Sequence, residues 1–252
     1  MIKTLKNRIQ SNVVYSEPGK YTDLLLSFKG HEKIDTVAVA FYPGRCTINW
    51  GDGTEESFDI EEEQGFIYHK YDRKFKDTIK DDEFLLRIDG NFYKIFNYIN
   101  STNVNSASLV RSVHSICKRQ SHSSALFSMC KSLKYVNPDA FRYCSISDFK
   151  RCFAWSGLTK IPQNLFDSAG PDADFAGAFA NCRDLTTSHL KFGGPNASTF
   201  RQFDKMFMGC NNLESIEEDM FDSVAPDASF TDCFKGCNML DHTKCKSILK
   251  ND

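Results

Sequence analysis

The feature that most constrains the fold of this chain is a pattern of aromatic, cysteine and leucine residues that recurs through its C-terminal half. In the clearest copy, Phe203 and Phe207 are followed by Cys210, Leu213 and Ile216. Successive copies are separated by 26, 26, 28 and 27 residues, counted at Phe127, Phe153, Phe179, Phe207 and Phe234. A near-constant period in this range is typical of stacked repeats rather than of a single globular core.

The spacing inside a copy predicts its local structure. Phe203, Phe207 and Cys210 would lie on one face of a short helix, because they are four and three residues apart. Leu213 and Ile216 follow too soon for that helix to continue and predict a short extended segment. Of the 22 phenylalanines, 13 occupy repeat positions. We therefore expect an α/β repeat whose phenylalanines are buried in columns, rather than a stacking platform for a cofactor or nucleobase.

The repeats also resemble a known family. The resemblance is seen in three segments, MFMGCNNLESI, FDSVAPDASFTDCFKGCNML and FDSAGPDADFAGAFANCRDL. They are similar to the Phe-x-x-Cys-x-x-Leu repeats of BspA-like leucine-rich-repeat (LRR) surface proteins, over about residues 109–245. Ser156 departs from the cysteine position, and the spacing from Phe153 to Leu158 is one residue shorter. The resemblance implies an LRR-like repeat solenoid on a bacterial or phage-associated surface protein.

The N-terminal part carries a strand pattern instead. Short apolar runs at 23–28, 36–41, 46–50, 66–71 and 84–90 are separated by turn residues. Asp52-Gly53 after the third run is a strong hairpin signal, since such a turn needs positive φ. Several short strands joined by turns predict a β-sandwich.

This part resembles a second family. The segment INWGDGT, followed by YHKY and then FLLRIDG, is similar to the polycystic-kidney-disease (PKD) type of immunoglobulin-like domain. The resemblance covers about 70 residues and implies a spacer or binding module. In this motif His69 is expected to make a structural hydrogen bond. The fold class expected for the whole chain is thus mixed β and α/β, a PKD-like β-sandwich followed by an LRR-like solenoid.

These patterns predict three segments along the 252 residues. They are an N-terminal segment (1–21), the β-sandwich (22–100) and the repeats (101–252). The polar stretch at 101–106 marks the boundary, and 243–249 is expected to form a capping helix, because the last repeat of a stack has no neighbour.

Composition and the N-terminus restrict the partners and the location. The net charge of −2 gives no drive towards nucleic acid or an anionic membrane. No apolar run is long enough to predict membrane insertion. The basic residues of 1–10 are not followed by the apolar run of a secretory signal. The location is therefore left open, although the family resemblance implies an extracellular, cell-surface or virion protein.

Motifs for chemistry are absent from the sequence. It has no Gly-x-Ser-x-Gly elbow, phosphate loop or dinucleotide fingerprint, so we expect no catalytic residues and no cofactor. The repeated cysteines are expected to be reduced, because stacked helices lie about 8–10 Å apart and disulfides need closer Cα atoms. Cysteine and histidine pairs lack the second pair that a zinc site needs, so no metal is expected. The hairpin at Asp52, with Glu55 and Glu56, is either a calcium site or a solvated turn.

We therefore expect a non-enzymatic recognition or adhesion protein that presents a repeat face to a protein or glycan on a cell surface. The alternatives are a structural or receptor-binding component of a phage tail or injection apparatus, and a polysaccharide-acting enzyme. The exposed strand positions of the repeats are the expected ligand-binding residues: Lys134, Tyr135, Thr159, Lys160, Thr186, Thr187, Glu214 and Ser215. The oligomeric state is left open.

Overall fold

The chain folds mainly into β-strands and stacked turns. The structure is a computed structural model and describes residues 19–29, 34–61, 65–79, 83–99, 103–106 and 109–242. The strands are β1 (Thr22–Leu26), β2 (Ile34–Phe41), β3 (Gly44–Asn49), β4 (Glu55–Ile60), β5 (Gly65–Lys70), β6 (Phe84–Asp89), β7 (Phe92–Ile99), β8 (Asn103–Ser106), β9 (Val110–Ser115), β10 (Tyr135–Val136), β11 (Lys160–Ile161), β12 (Thr187–Ser188) and β13 (Ser215–Ile216). One short helix, α1 (Arg73–Thr78), follows β5, and a 3-10 helix spans Ala197–Thr199.

Two sheets form the N-terminal part. The first has six strands in the order β10-β9-β1-β6-β3-β4, and the second has four in the order β5-β2-β7-β8. Their pairings are antiparallel, except that β10 pairs with β9 in parallel. In β6 buried and half-buried residues alternate, as expected for a strand with one face in the core.

An aromatic cluster joins the two sheets. Trp50 follows β3 in the first sheet, and its ring stacks on His69 of β5 in the second, 4.7 Å between centroids. The buried Tyr71 donates a hydrogen bond from its hydroxyl to the carbonyl of Trp50 at 2.9 Å. Phe28 and Phe84 pack on Tyr71 at 5.3 and 5.1 Å. The hydroxyl bond satisfies the polar end of a fully buried tyrosine, which would otherwise destabilise this core.

The C-terminal part is a stack of similar turns. The short strands β11, β12 and β13 pair in parallel, with Lys160, Thr187 and Ser215 in register. A second set of parallel bridges links the repeats on another side, through Asp148, Asp174, Gln202 and Ser229. Each repeat therefore bonds to the next through its backbone at two places.

The phenylalanines form buried columns, which confirms that part of the sequence prediction. The rings of Phe127, Phe153 and Phe179 stack in sequence with centroids 5.5 Å apart in each step. The column continues to Phe207 and Phe234 at 5.7 and 5.4 Å. All five rings are at most 2% exposed. The columns join the core of the two N-terminal sheets in one continuous cluster of buried residues.

The predicted helices of the repeats are wrong, and with them the expected α/β repeat solenoid of the LRR type. Residues 109–242 contain no α-helix, only the 3-10 helix Ala197–Thr199. The backbone bonds show why. Phe153 and Trp155 donate to Ala178 and Ala180 of the next repeat, both at 2.8 Å. An α-helix would send every such N–H group to the carbonyl four residues earlier in its own turn.

Left-handed backbone at regular positions prevents the helix. Each repeat has two residues with positive φ, four apart: Ala125 and Met129, Arg151 and Trp155, Gly177 and Asn181, Lys205 and Gly209, Asp232 and Gly236. A right-handed helix cannot contain them. The spacing of four and three residues that suggested a helical face instead places the aromatic side chains inside a sequence of tight turns.

The expected fold class as a whole is therefore corrected: the described part of the chain is rich in β-sheet and contains three sheets. The larger sheet of the N-terminal part includes β9 and takes β10 from the first repeat, so it extends beyond the predicted PKD-like sandwich at 22–100. The predicted division at residue 100 falls between β7 and β8 and stays a prediction. The predicted capping helix at 243–249 lies outside the described residues.

Candidate functional site

The eight predicted ligand-binding residues lie on or beside the short strands of the repeats. Lys134, Tyr135, Lys160, Glu214 and Ser215 are exposed, whereas Thr159, Thr186 and Thr187 are half-buried. The three-stranded sheet brings together the residues at 159–160, 186–187 and 214–215. Lys134 and Tyr135 are at or beside β10, which belongs to the six-stranded sheet. The predicted face is thus divided between two sheets.

Two of the predicted residues are engaged in holding the repeats together. The amide and the hydroxyl of Thr186 both donate to the carbonyl of Thr159, at 3.0 and 3.2 Å. Its own carbonyl accepts the amide of Glu214 at 2.9 Å. Thr159 and Thr186 therefore contribute to the ladder of hydrogen bonds between repeats. The charged and aromatic residues among the eight remain as the part of the predicted face that can contact a ligand.

Lys134 spans two steps of the stack. Its Nζ lies 2.6 Å from Oδ2 of Asp184, which belongs to the second repeat after its own. The path crosses the intervening repeat at Gly157, where a side chain would overlap the carbonyl of Lys131 and approach the Lys134 ammonium. Glycine therefore fits at this position, where the chain passes close to the Lys131 carbonyl and the Lys134 ammonium.

The sequence prediction missed the exposure of several large apolar residues, and two of them, Met129 and Trp155, lie in adjacent repeats. Met129 and Trp155 are 43% and 44% exposed, although both are large. They occupy the same position in adjacent repeats, because the amide of Met129 donates to the carbonyl of Ala154 at 2.7 Å. The sequence does carry a signal: the corresponding residues in the later repeats are Asn181, Gly209 and Gly236, which are residues that favour left-handed turns.

The backbone at Met129 and Trp155 is unfavourable for their side chains. Their φ angles are 63° and 56°, in the left-handed region. This conformation costs roughly 1–2 kcal/mol for an ordinary residue and is uncommon for a bulky one. Other side chains also tolerate it in this fold, for example Arg151 and Lys205 at the first left-handed position. Met129 and Trp155 differ in combining this cost with a large exposed apolar surface.

The repeated cysteines have a structural role. The thiols of Cys182, Cys210 and Cys237 each donate to the carbonyl of a phenylalanine in the preceding repeat at 3.1 Å. Burial raises the pKa of the Cys182 thiol to about 11. The nine cysteines in the described residues are buried and free, which confirms the prediction of reduced thiols for that part of the chain. A neutral, enclosed thiol is a poor nucleophile and a poor metal ligand.

The acidic hairpin is built around its own hydrogen bonds. Asp52 accepts from the Thr54 hydroxyl at 2.6 Å and lies 2.7 Å from Nε2 of His69. Burial alone would raise the pKa of Asp52, but the bonds from Thr54 and His69 outweigh it and lower that pKa. In the described part of the chain, no three His, Cys, Asp or Glu side chains are grouped to hold a metal ion.

A cleft lies in the N-terminal part, away from the repeats. It has a volume of about 520 Å³ and is lined by Phe28, Tyr71 and charged residues beside α1. Its three carboxylates are already engaged: Asp35 pairs with Lys70 at 3.3 Å, Asp77 lies 3.8 Å from Arg73, and Asp72 caps α1 by accepting from the amide of Phe75. Among the helices that the structure describes, none is long and apolar enough to cross a membrane.

Comparisons with known proteins give no family for this chain. No protein family, curated protein or solved structure shows a significant match to it. The resemblance to BspA-like repeats and to PKD domains is therefore not supported as membership, and the repeat geometry disagrees with the first.

Proposed function

We propose that this chain is a non-enzymatic recognition protein that binds a protein or glycan ligand on the exposed face of its stacked repeats. The observation that carries this proposal is the pair Met129 and Trp155, two large apolar side chains left exposed on unfavourable backbone. Residues in sparsely populated conformations cluster at ligand-binding sites. Tryptophan is also enriched among the residues that dominate binding interfaces.

The rest of the repeat face supports the same function. Each repeat adds exposed side chains beside those of its neighbour, such as Lys160 and Ser215, in register on parallel strands. Stacked repeats of this kind present an extended binding surface on a rigid framework. The Phe columns supply that framework, because they hold successive repeats at a spacing of about 5.5 Å between ring centroids.

The proposal is tested by binding of the full chain to glycan arrays and displayed protein arrays, with wild type compared with Trp155→Asn. Asparagine is chosen because Asn181 occupies the same backbone position in the next repeat. Met239→Asn is the matched control, since Met239 is a 60% exposed apolar residue in the last repeat.

We expect array signals that are lost in Trp155→Asn and kept in Met239→Asn. Equal signals in all three proteins would contradict a binding site at Trp155. Shortening of the arrayed glycans by the wild-type chain would contradict a non-enzymatic role and favour a polysaccharide-acting enzyme.

A further inference from the structure

The charges around Trp155 indicate what kind of partner the repeat face fits. We define the Trp155 surface by Met129, Lys131, Arg151, Trp155 and Arg183, all exposed. Lys131 and Arg183 each follow the second left-handed position of their repeats by two residues, on either side of the repeat that contains Trp155. The corresponding position in the Trp155 repeat is Gly157, which has no side chain. The repeat that contains Trp155 thus lies between two repeats that each carry a cation at this position.

The cations of this surface have no carboxylate partner among the residues that the structure describes. In the described part of the chain, Lys131, Arg151 and Arg183 are not within ion-pair distance of any acidic side chain. Elsewhere on the stack such partners are common: Lys150 lies 3.1 Å from Asp174, Lys191 2.8 Å from Asp219, Arg201 3.1 Å from Asp227 and Lys235 3.1 Å from Asp232. Asp184, which follows Arg183 in the sequence, is paired with Lys134.

The Trp155 surface therefore combines three unpaired positive charges with two exposed apolar side chains, in a chain whose net charge is −2. A local patch of sign opposite to the whole molecule attracts a ligand of complementary charge. Complementary charge chiefly sets partner choice and the rate of association, whereas buried apolar anchors supply most of the affinity. The two components point to a ligand that carries both acidic and apolar groups.

We infer that the partner of the Trp155 surface is an acidic protein segment with an apolar anchor residue. This inference rests on the proposed recognition function and specifies its ligand. Methionine and arginine, like tryptophan, are enriched at protein–protein interfaces, and the flexible thioether of Met129 adapts to varied side chains. An acidic polysaccharide shares the charge but lacks the apolar side chain that Met129 and Trp155 would enclose.

The test is a selection from a library of random short peptides displayed on phage, carried out in parallel on the full wild-type chain and on Trp155→Asn. Clones enriched on wild type and not on the variant are ligands of the Trp155 surface. We expect the average net charge of these peptides to be more negative than that of the unselected library. A synthetic clone should bind about tenfold more weakly to Lys131→Glu/Arg183→Glu, because like charges then face each other. Its affinity should also fall as salt is raised.

Lys205→Glu is the matched control, because Lys205 is also exposed at a left-handed position but lies outside the Trp155 surface. Binding to this variant should stay close to that of wild type. Trp155-dependent clones that are neutral or basic, or insensitive to the charge reversal, would overturn the acidic partner and leave the recognition function standing. Polygalacturonate and a single-stranded oligonucleotide are tested on the same two proteins. If either polymer binds in a Trp155-dependent manner and no peptide clone does, the acidic protein partner is also overturned. If neither the peptide library nor either polymer shows Trp155-dependent binding, the recognition site itself is contradicted.

Discussion

The ring of Phe179 lies parallel to that of Phe153, with 5.5 Å between ring centroids and 4° between the ring planes. On its other side Phe207 stacks at 5.7 Å. Phe179 is fully buried, so its replacement removes contacts to both neighbouring repeats. We expect Phe179→Ala to lower the free energy of unfolding by about 3–5 kcal/mol, measured by urea denaturation. Met239→Ala, at a 60% exposed site, should change it by less than about 0.5 kcal/mol. A small effect of Phe179→Ala would contradict the column as the stabilising element.

The same variant tests the predicted division of the chain at residue 100. Strand β9 pairs with β1 on one side and with β10 of the first repeat on the other. Separate folding of 22–100 and 101–252 predicts two thermal transitions, of which Phe179→Ala lowers only one. A single transition lowered as a whole in calorimetry would show that both parts unfold together, and the division would have to be abandoned.

Thiol reactivity should report the packing of the cysteines. Burial raises the pKa of Cys130 and of Cys144 to about 12, so both thiols stay neutral at mildly alkaline pH as well as enclosed. The tenth cysteine, Cys245, lies outside the described residues and is replaced by serine for this measurement. We expect the native Cys245→Ser protein to react slowly with a thiol reagent, and nine thiols to react after denaturation. Rapid reaction of the native protein, or fewer than nine thiols, would contradict the buried and reduced state.

The Asp52–His69 contact should make stability depend on pH. Because the pKa of Asp52 is lowered in the folded protein from its usual 3.8, this carboxylate stabilises the fold above about pH 4, and the contribution is lost as pH falls through the folded pKa. At neutral pH Asp52→Asn should lower the free energy of unfolding by about 1–3 kcal/mol, the cost of losing hydrogen bonds to a charged group.

The difference between wild type and Asp52→Asn should shrink on acidification below about pH 4, measured by urea denaturation across a pH series. Asp59→Asn on the exposed part of β4 is the control and should leave the pH profile unchanged. A constant difference between wild type and Asp52→Asn at every pH would contradict the ionised hydrogen-bonded carboxylate.

Sequence periodicity was sufficient to predict the columns, but not the backbone that builds them. Phe153 and Phe179 are buried and stacked as their spacing predicts, because any regular stack places equivalent residues next to each other. The spacing does not distinguish a helix from a series of turns, since both bring residues such as Phe203 and Phe207 to the same side. The positive φ at Lys205, between these two residues, excludes a helix there. Lysine has no preference for that conformation, so the sequence does not indicate the turn.

The candidate site was predicted only in part, for a related reason. The outward strand positions follow from alternation, so Lys160 and Ser215 were correctly expected to be exposed. The exposure of Trp155 was missed, because a tryptophan two residues from a buried phenylalanine is ordinarily taken as core. The asparagine and glycines at the same position in later repeats were the available signal, and reading it required the copies to be aligned by their turns.

The central claim is that Trp155 serves ligand binding rather than folding, and the free energy of unfolding of Trp155→Asn tests it most directly. Full burial of a large apolar side chain stabilises by roughly 1.5–3 kcal/mol, and Trp155 is 44% exposed. Asparagine tolerates the left-handed conformation better than tryptophan, so the substitution removes an unfavourable backbone term of about 1–2 kcal/mol. The two effects nearly cancel, so we predict a change of no more than about 1 kcal/mol in urea denaturation. A loss of about 3 kcal/mol or more, as expected for a buried core aromatic such as Phe153, would show that Trp155 is a structural residue and would contradict the account.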